Sequence, residues 1–391
     1  MEEAQAQPYL MKPLSFSRAL LASVLALSAT NPWAQAQYSI TNIADSTSPL
    51  FSGFSGVCSI NAAGKLGFYA SLDAGGTGLF TSDGTTTTAI ALDSSPLFSS
   101  FTVAPSIDTA GKLGFFANLD AGGSGIFMGD GTTTTIALSI GPLYSSFGNP
   151  VLNAAGLMGF YASLDAGGQG LFTSNGTTTT TIVLAGDSLF SSFGNPSINT
   201  AGTLGFWAAL DAGGTGLYKS DGTTTTAVAL DSGPVFSGFS APMINTAGLL
   251  GFRANLDSGG TGLYTSDGTT TTTIALDSGP VFSGFGLPSI NAAGVLGFHA
   301  FLDAGGTGIF TTDGTTTTQV IKTGDALFGS TVTALLTGDS ALNDAGQLAF
   351  HYALANGTIG IAVAAPVPEP GSALFLGLGA LGLLAFRRRR S

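Results

Sequence analysis

Both histidines of the chain, His299 and His351, stand directly after the last Phe of a recurring motif, Asn-x-x-Gly-x-x-Gly-Phe with small variations. The same position holds Tyr69, Phe116, Tyr161, Trp207 and Arg253 in the other copies, so the only Arg away from the chain ends falls there too. Aromatic faces beside polar groups suit sugars, whose rings carry apolar C–H faces and hydroxyl edges. These seven residues are therefore candidates for a ligand patch, with Trp207 and Arg253 flanked by His299. Packing between repeats is the other reading, since bulky side chains of varied size at equivalent points fill gaps between neighbours. Catalysis finds little else to use. Glu occurs only at Glu2, Glu3 and Glu369, so the stock of general bases is thin. Six motif copies are nearly identical, whereas a hydrolytic site needs different groups in different roles at one place. No Gly-x-Ser-x-Gly elbow pairs with a placed His. The Gly-rich stretches lack the following helix that would make them phosphate loops.

A second repeated group is acidic. Asp73, Asp120, Asp165, Asp211, Asp257 and Asp303 each precede a small-Gly-Gly turn. Calcium takes carboxylates and backbone carbonyls, which makes these weak calcium candidates. Asp also initiates such turns with no ion, and one acid per loop favours that reading. No metal site or cofactor is expected. The single Cys58 allows no intrachain disulfide and lies in an apolar run, where a small buried hydrophobe is expected. Between 37 and 366 there are five basic residues against 20 Asp, a formal balance of −15. Such a surface repels phosphate backbones, so nucleic acid is not an expected partner.

The elements that position these groups are strands. Motif copies begin at Asn61, Asp108, Asn153, Asn199, Asn245, Asn291 and Asn343, spaced by 45–47 residues until a last interval of 52. That period suits four-stranded propeller blades. In the first copy, Asn61 and Gly64 bound a type I turn. A strand over 66–72 follows, with Phe68 on one face and Tyr69 on the other. Asp73 to Gly76 form a loop, 78–82 a short strand, Asp83-Gly84 a hairpin turn, and 85–92 a β-branched strand. Residues 98–107 lead into the next copy. Bulk on both faces of 66–72 implies sheets stacked on both sides. The last copy lacks its Thr-rich fourth strand, while 40–45 reads as a fourth strand without a blade. Pairing the two closes a ring and removes an exposed edge. The chain is thus expected to be all-β, a seven-bladed β-propeller; an open solenoid of hairpins is the alternative.

The two ends read as addresses. Lys12 and Arg18 precede an apolar run, and Ala34-Gln35-Ala36 supplies a small-x-small cleavage site, the layout of a secretory signal peptide over 1–36. Synthesis is expected to start at Met11, because Glu2 and Glu3 suit an n-region poorly, and the mature chain at Gln37. The tandem-repeat domain then spans 37–366, and 367–391 forms a tail. That tail carries Pro368-Glu369-Pro370, an apolar stretch, and Arg387, Arg388, Arg389 and Arg390. A single apolar helix over 372–386 would be about 22 Å long, against a hydrocarbon core of about 30 Å. The Arg cluster would stay cytoplasmic, so the tail would hold the membrane only before processing.

This arrangement closely resembles the PEP-CTERM sorting signal. The resemblance implies recognition by an exosortase-type enzyme in a bacterium of Gram-negative type that exports polysaccharide. The repeats resemble choice-of-anchor units of the form Asn-x-x-Gly-x-x-Ala-Phe, matched in full by the copy at Asn343. Copies one to six carry Gly at the Ala position. The expected function is that of an exported, non-enzymatic component of the cell surface or exopolysaccharide matrix. The alternative is a sugar-binding or carbohydrate-active propeller using the ring position.

Overall fold

The first repeat folds as its turn chemistry dictates. Asn61 Oδ1 accepts the amides of Ala63 and Lys65 at 3.0 Å each, and the Gly64 amide closes the turn on Asn61 O at 3.0 Å. Gly64 has φ of +80°, a conformation that costs glycine nothing. This turn feeds the first full-length repeat strand. In chain order the elements are β1 (Tyr38–Asp45), β2 (Phe51–Phe54), β3 (Ser59–Ile60), β4 (Leu66–Leu72), β5 (Thr77–Ser82) and β6 (Thr87–Leu92). Both β2 and β3 pair with the same edge of β4, so they are two halves of one innermost strand. The stretch 98–107, expected to lead into the next copy, is built in the same way. That stretch splits into Phe98–Phe101 and Ser106–Ile107, with Pro105 before the second half, where a missing N–H interrupts the ladder.

The structure is a computed structural model and describes residues 38–102, 104–186 and 189–367. The expected signal peptide, its cleavage residues, the C-terminal helix and the sorting motif lie outside the described residues. Within them the chain is all-β and forms seven sheets, one per repeat, each with four principal strands. Six sheets use consecutive strands in the order β2-β4-β5-β6 or its equivalent. The seventh is completed by β1, which pairs antiparallel with Ile359–Pro366 from Tyr38 opposite Pro366 to Asp45 opposite Gly360. The ring is therefore closed, and an open solenoid is ruled out.

Closure is visible in detail as well as in order. The outer hairpin of blade 1 has a bulge that places Ile90 between the paired Ala89 and Ala91. In β1 the same bulge places Ile43 between Asn42 and Ala44. The first strand thus reproduces the geometry of every other outer strand, although the whole chain separates it from its partner.

Seven hydrophobic clusters hold the blades together, each joining two neighbours. Leu79 and Ile90 of blade 1 pack with Phe98, Phe115 and Phe127 of blade 2, for example, and Ile361 and Val363 of blade 7 with Phe51, Phe68 and Phe80 of blade 1. Inside each of blades 1 to 6 four aromatic rings interlock. Phe68 and Phe80 stack at 5.8 Å between centroids, and Phe51 meets Phe80 edge-on at 5.0 Å. The second Gly of the motif has its own reason. A Cβ on Gly67 would lie 2.5 Å from Leu113 of the next blade, and one on Gly297 would lie 2.6 Å from Leu348. Gly in copies one to six is what lets the blades approach; Ala349 stands at the closing junction.

The strand directions define two faces. The Asn-x-x-Gly turns and the Asp-Gly turns lie on one, which is called the Asn face here. Tyr38 and Pro366 pair at that end of blade 7, so both described chain ends leave from it. The opposite Asp face carries the Asp-small-Gly-Gly turns and the crossings between blades.

Candidate functional site

The motif Asn residues form a belt around the central channel. Asn61, Asn153, Asn199 and Asn245 donate through Nδ2 to the backbone oxygen of residues 108, 199, 245 and 291 in the next blade, at 2.9–3.3 Å. Asn343 donates to Asn61 O at 2.9 Å and carries the belt across the junction. The Asp108 side chain has no N–H to give. At that blade Thr109 Oγ1 donates to Ala154 O at 2.7 Å instead. The belt surrounds a cavity of about 210 Å³ lined by equivalent residues of all seven blades. Asp339 and Asp344 are the charged groups in its wall. Asp339 is ringed by protein, and burial raises its carboxyl above the usual range. Sequence reasoning missed this residue because the connection over 337–341 breaks the repeat pattern.

The variable ring position does not converge on the channel. Five of its members instead reach the seam between their own blade and the next. Tyr69, Phe116, Tyr161 and Trp207 pack against the clusters of blades 2, 3, 4 and 5 respectively. Arg253 bridges a seam through hydrogen bonds, from Nε to Ser240 Oγ at 3.1 Å and from Nη1 to Phe285 O of blade 6 at 2.8 Å. His299 and His351 are 8% and 9% exposed, and neither Nε2 has a hydrogen-bond partner. Burial pushes the His351 imidazole down to about 4 and lowers His299 in the same direction. Both rings are neutral at pH 7. Tyr69, Phe116, Tyr161, Trp207 and Arg253 thus each contact the next blade, and His299 and His351 are buried.

The six candidate calcium residues are exposed on the Asp face, one per blade. The amide of each donates to the carbonyl of the preceding crossing, as from Asp73 to Leu50 O at 3.2 Å and from Asp165 to Leu143 O at 3.1 Å. These bonds are made by the backbone and leave the six carboxylates exposed. Among the described residues, no three His, Cys, Asp or Glu side chains come together as a metal-binding group. Other Asp residues have fixed roles. Asp93 accepts Thr77 N and Oγ1 at 2.9 and 2.7 Å. Asp83, Asp221, Asp267 and Asp313 each accept backbone amides and a Thr hydroxyl in the Asp-Gly turns, which holds their carboxyls at about 2. Cys58 is buried, and burial pushes its thiol up to about 12, so it is an inert packing residue.

Comparison with known proteins adds the following. No curated protein sequence matches the chain. Among solved structures it is similar to an oligogalacturonate lyase from Vibrio parahaemolyticus, at 13% identity and a TM-score of 0.54, covering 85% of this chain and 97% of that one. It is also similar to polysaccharide lyase Uly1 (10% identity, TM-score 0.47, 81% and 91% covered). YCF48 from Cyanidioschyzon merolae is a third (12% identity, TM-score 0.41, 83% and 98% covered). At these identities the likeness is one of fold. The PEP-CTERM protein-sorting motif matches residues 366–390, which implies processing by an exosortase and export to the cell envelope or surface of a bacterium. Residues 20–227, half of the chain, match the model of a family of unknown function, DUF7453, and the chain belongs to that family.

Proposed function

We propose that this protein is an exported, non-enzymatic propeller of the cell surface or extracellular matrix, delivered through its signal peptide and sorted through its tail. One observation carries the reading. Tyr38 and Pro366 are paired neighbours at one end of blade 7, so the new N-terminus and the sorting motif leave from the same face. A tail anchored there would hold the disc with its Asn face toward the membrane and its Asp face outward. The first strand starts one residue after the expected cleavage at Gln37, as an exported chain closing its ring would need. The varied ring residues support a structural role, since Tyr69, Phe116, Tyr161 and Trp207 pack against the next blade and Arg253 is bound at both ends of its guanidinium.

The test is delivery. In the native bacterium, a Pro368→Ala/Glu369→Gln/Pro370→Ala variant should accumulate as an unprocessed, membrane-held form. Delivery equal to wild type would refute sorting through the tail.

A further inference from the structure

We propose that the Asp face is a docking surface for a cationic, apolar-faced segment of a protein partner. Its outward direction rests on the tail-tethered reading above; its binding chemistry does not.

The exposed apolar side chains are placed unevenly. Of fourteen large hydrophobic residues exposed among the described residues, eleven lie at the Asp-face ends of strands or in the crossings there. A scattered Leu on a surface means nothing, but a ring on one face marks an interaction site. The inner circle is Leu50, Leu97, Leu143, Leu189, Val235 and Phe328, each just before an innermost strand or within its hairpin. Leu143 is 55% exposed and Leu97 45%. Leu184, Leu230 and Leu276 extend the apolar surface outward along three blades. In blades 1 to 5 the inner residue's own carbonyl accepts the amide of the neighbouring turn Asp. Each apolar side chain is thereby fixed beside a carboxylate.

Phe328 supplies an independent sign. It is the one non-glycine residue among those described with a positive φ, +47°, followed by Gly329 at +80°. Leu327 pairs with Ser330, so Phe328-Gly329 is a two-residue hairpin turn with positive φ at both positions. Asn or Asp is favoured there and an aromatic residue is strained. Yet Phe328 is 43% exposed on this face. Strain kept at an exposed aromatic points to use.

Charge decides the partner. Besides the six turn Asp, the face carries Asp45, Asp93, Asp231, Asp277 and Asp325, against Lys322 alone among the described residues. A second copy meeting face to face would bring these carboxylates together. Docking of its Asn face would bring Asp83, Asp130, Asp221, Asp267 and Asp313 against only Lys65, Lys112 and Lys219, a net negative surface again. An anionic polymer or membrane is repelled as well. Apolar side chains alternating with carboxylates fit a segment presenting Leu-like and Lys- or Arg-like groups together.

The probe is a synthetic amphipathic Leu/Lys peptide, titrated into the exported protein. Binding should be saturable, should weaken as salt rises, and should be absent for a Leu/Glu peptide of the same pattern. A Leu97→Ser/Leu143→Ser/Leu189→Ser variant changes only exposed positions and should lose on the order of tenfold or more in affinity. Phe328→Asn, which installs the favoured turn residue, should weaken binding while the fold is kept. An Asp83→Asn/Asp221→Asn/Asp267→Asn variant on the other face should bind like wild type. No binding of the Leu/Lys peptide, equal binding by the Leu and Phe variants, or an equal loss in the Asn-face variant would each overturn the proposal. Saturable binding of an acidic polysaccharide at this face would overturn it too.

Discussion

Truncating Ile43 to Ala tests whether the first strand is a full member of blade 7. Ile43 is 8% exposed and sits in the cluster that joins blades 7 and 1, with Phe51, Phe68 and Ile361. Its counterpart in blade 1 is Ile90, 6% exposed at the same bulge of an outer strand. Removing a buried Ile side chain to Ala costs about 2–5 kcal/mol through lost transfer energy and the cavity left behind. If the ring is closed as described, Ile43→Ala and Ile90→Ala should cost the same within about 1 kcal/mol. Unfolding entropy of about 2.1 cal/mol/K per residue over roughly 330 residues gives about 0.7 kcal/mol per degree. A loss of 3 kcal/mol is then a drop of about 4 °C in the thermal midpoint. Both variants can be followed by circular dichroism with matched heating rates. A normal drop for Ile90→Ala with none for Ile43→Ala would mean that the first strand is frayed, and the closure argument would fail.

Three further outcomes follow from the geometry. Asn153→Ala should cost about 3 kcal/mol or more, because it strands the Ala155 and Leu157 amides and the Asn199 carbonyl. Asn153→Asp should cost less in urea melts, because it keeps the acceptor, as Asp108 does. His351 is held at about 4 against about 6.5 when unfolded, so its neutral form stabilises the fold fully above pH 6.5 and that contribution is lost as pH falls through 4. The loss is roughly 3 kcal/mol, and a His351→Phe variant, which fills its seam as Phe116 does, should lack the dependence across that window. Calorimetric titration with calcium after chelation should show no stoichiometric heat, whereas about six equivalent sites would reinstate Asp73 and its counterparts as ligands.

Repeat period, blade count and the closing strand were legible because each depends on local pattern. The Asn-to-Gly turn, the alternation through Leu66, Phe68 and Ala70, and the orphan strand before Phe51 are all visible without coordinates. What the motif Asn does was not legible. Its Nδ2 bond reaches a carbonyl some 46 residues away, and only the ring places that acceptor. Gly67 was equally opaque, since its reason is Leu113 of another blade. The ring from Tyr69 to His351 was identified as a set, but the contacts of Tyr69, Phe116, Tyr161, Trp207 and Arg253 with the next blade depend on the ring and were not legible. The Leu97 and Leu143 positions were present in every copy of the crossing. Their exposure could not be read, because an apolar residue beside a Phe in a strand-like run reads as core.

The account as a whole rests on export followed by removal of the tail, and intact-mass analysis of protein isolated from the native cell envelope or matrix tests that directly. The account predicts a chain that begins near Gln37 and lacks Arg387 to Arg390, with the Pro368-Glu369-Pro370 segment at or near its new end. A mass that still includes the four Arg would show a plain membrane anchor and contradict sorting through the tail.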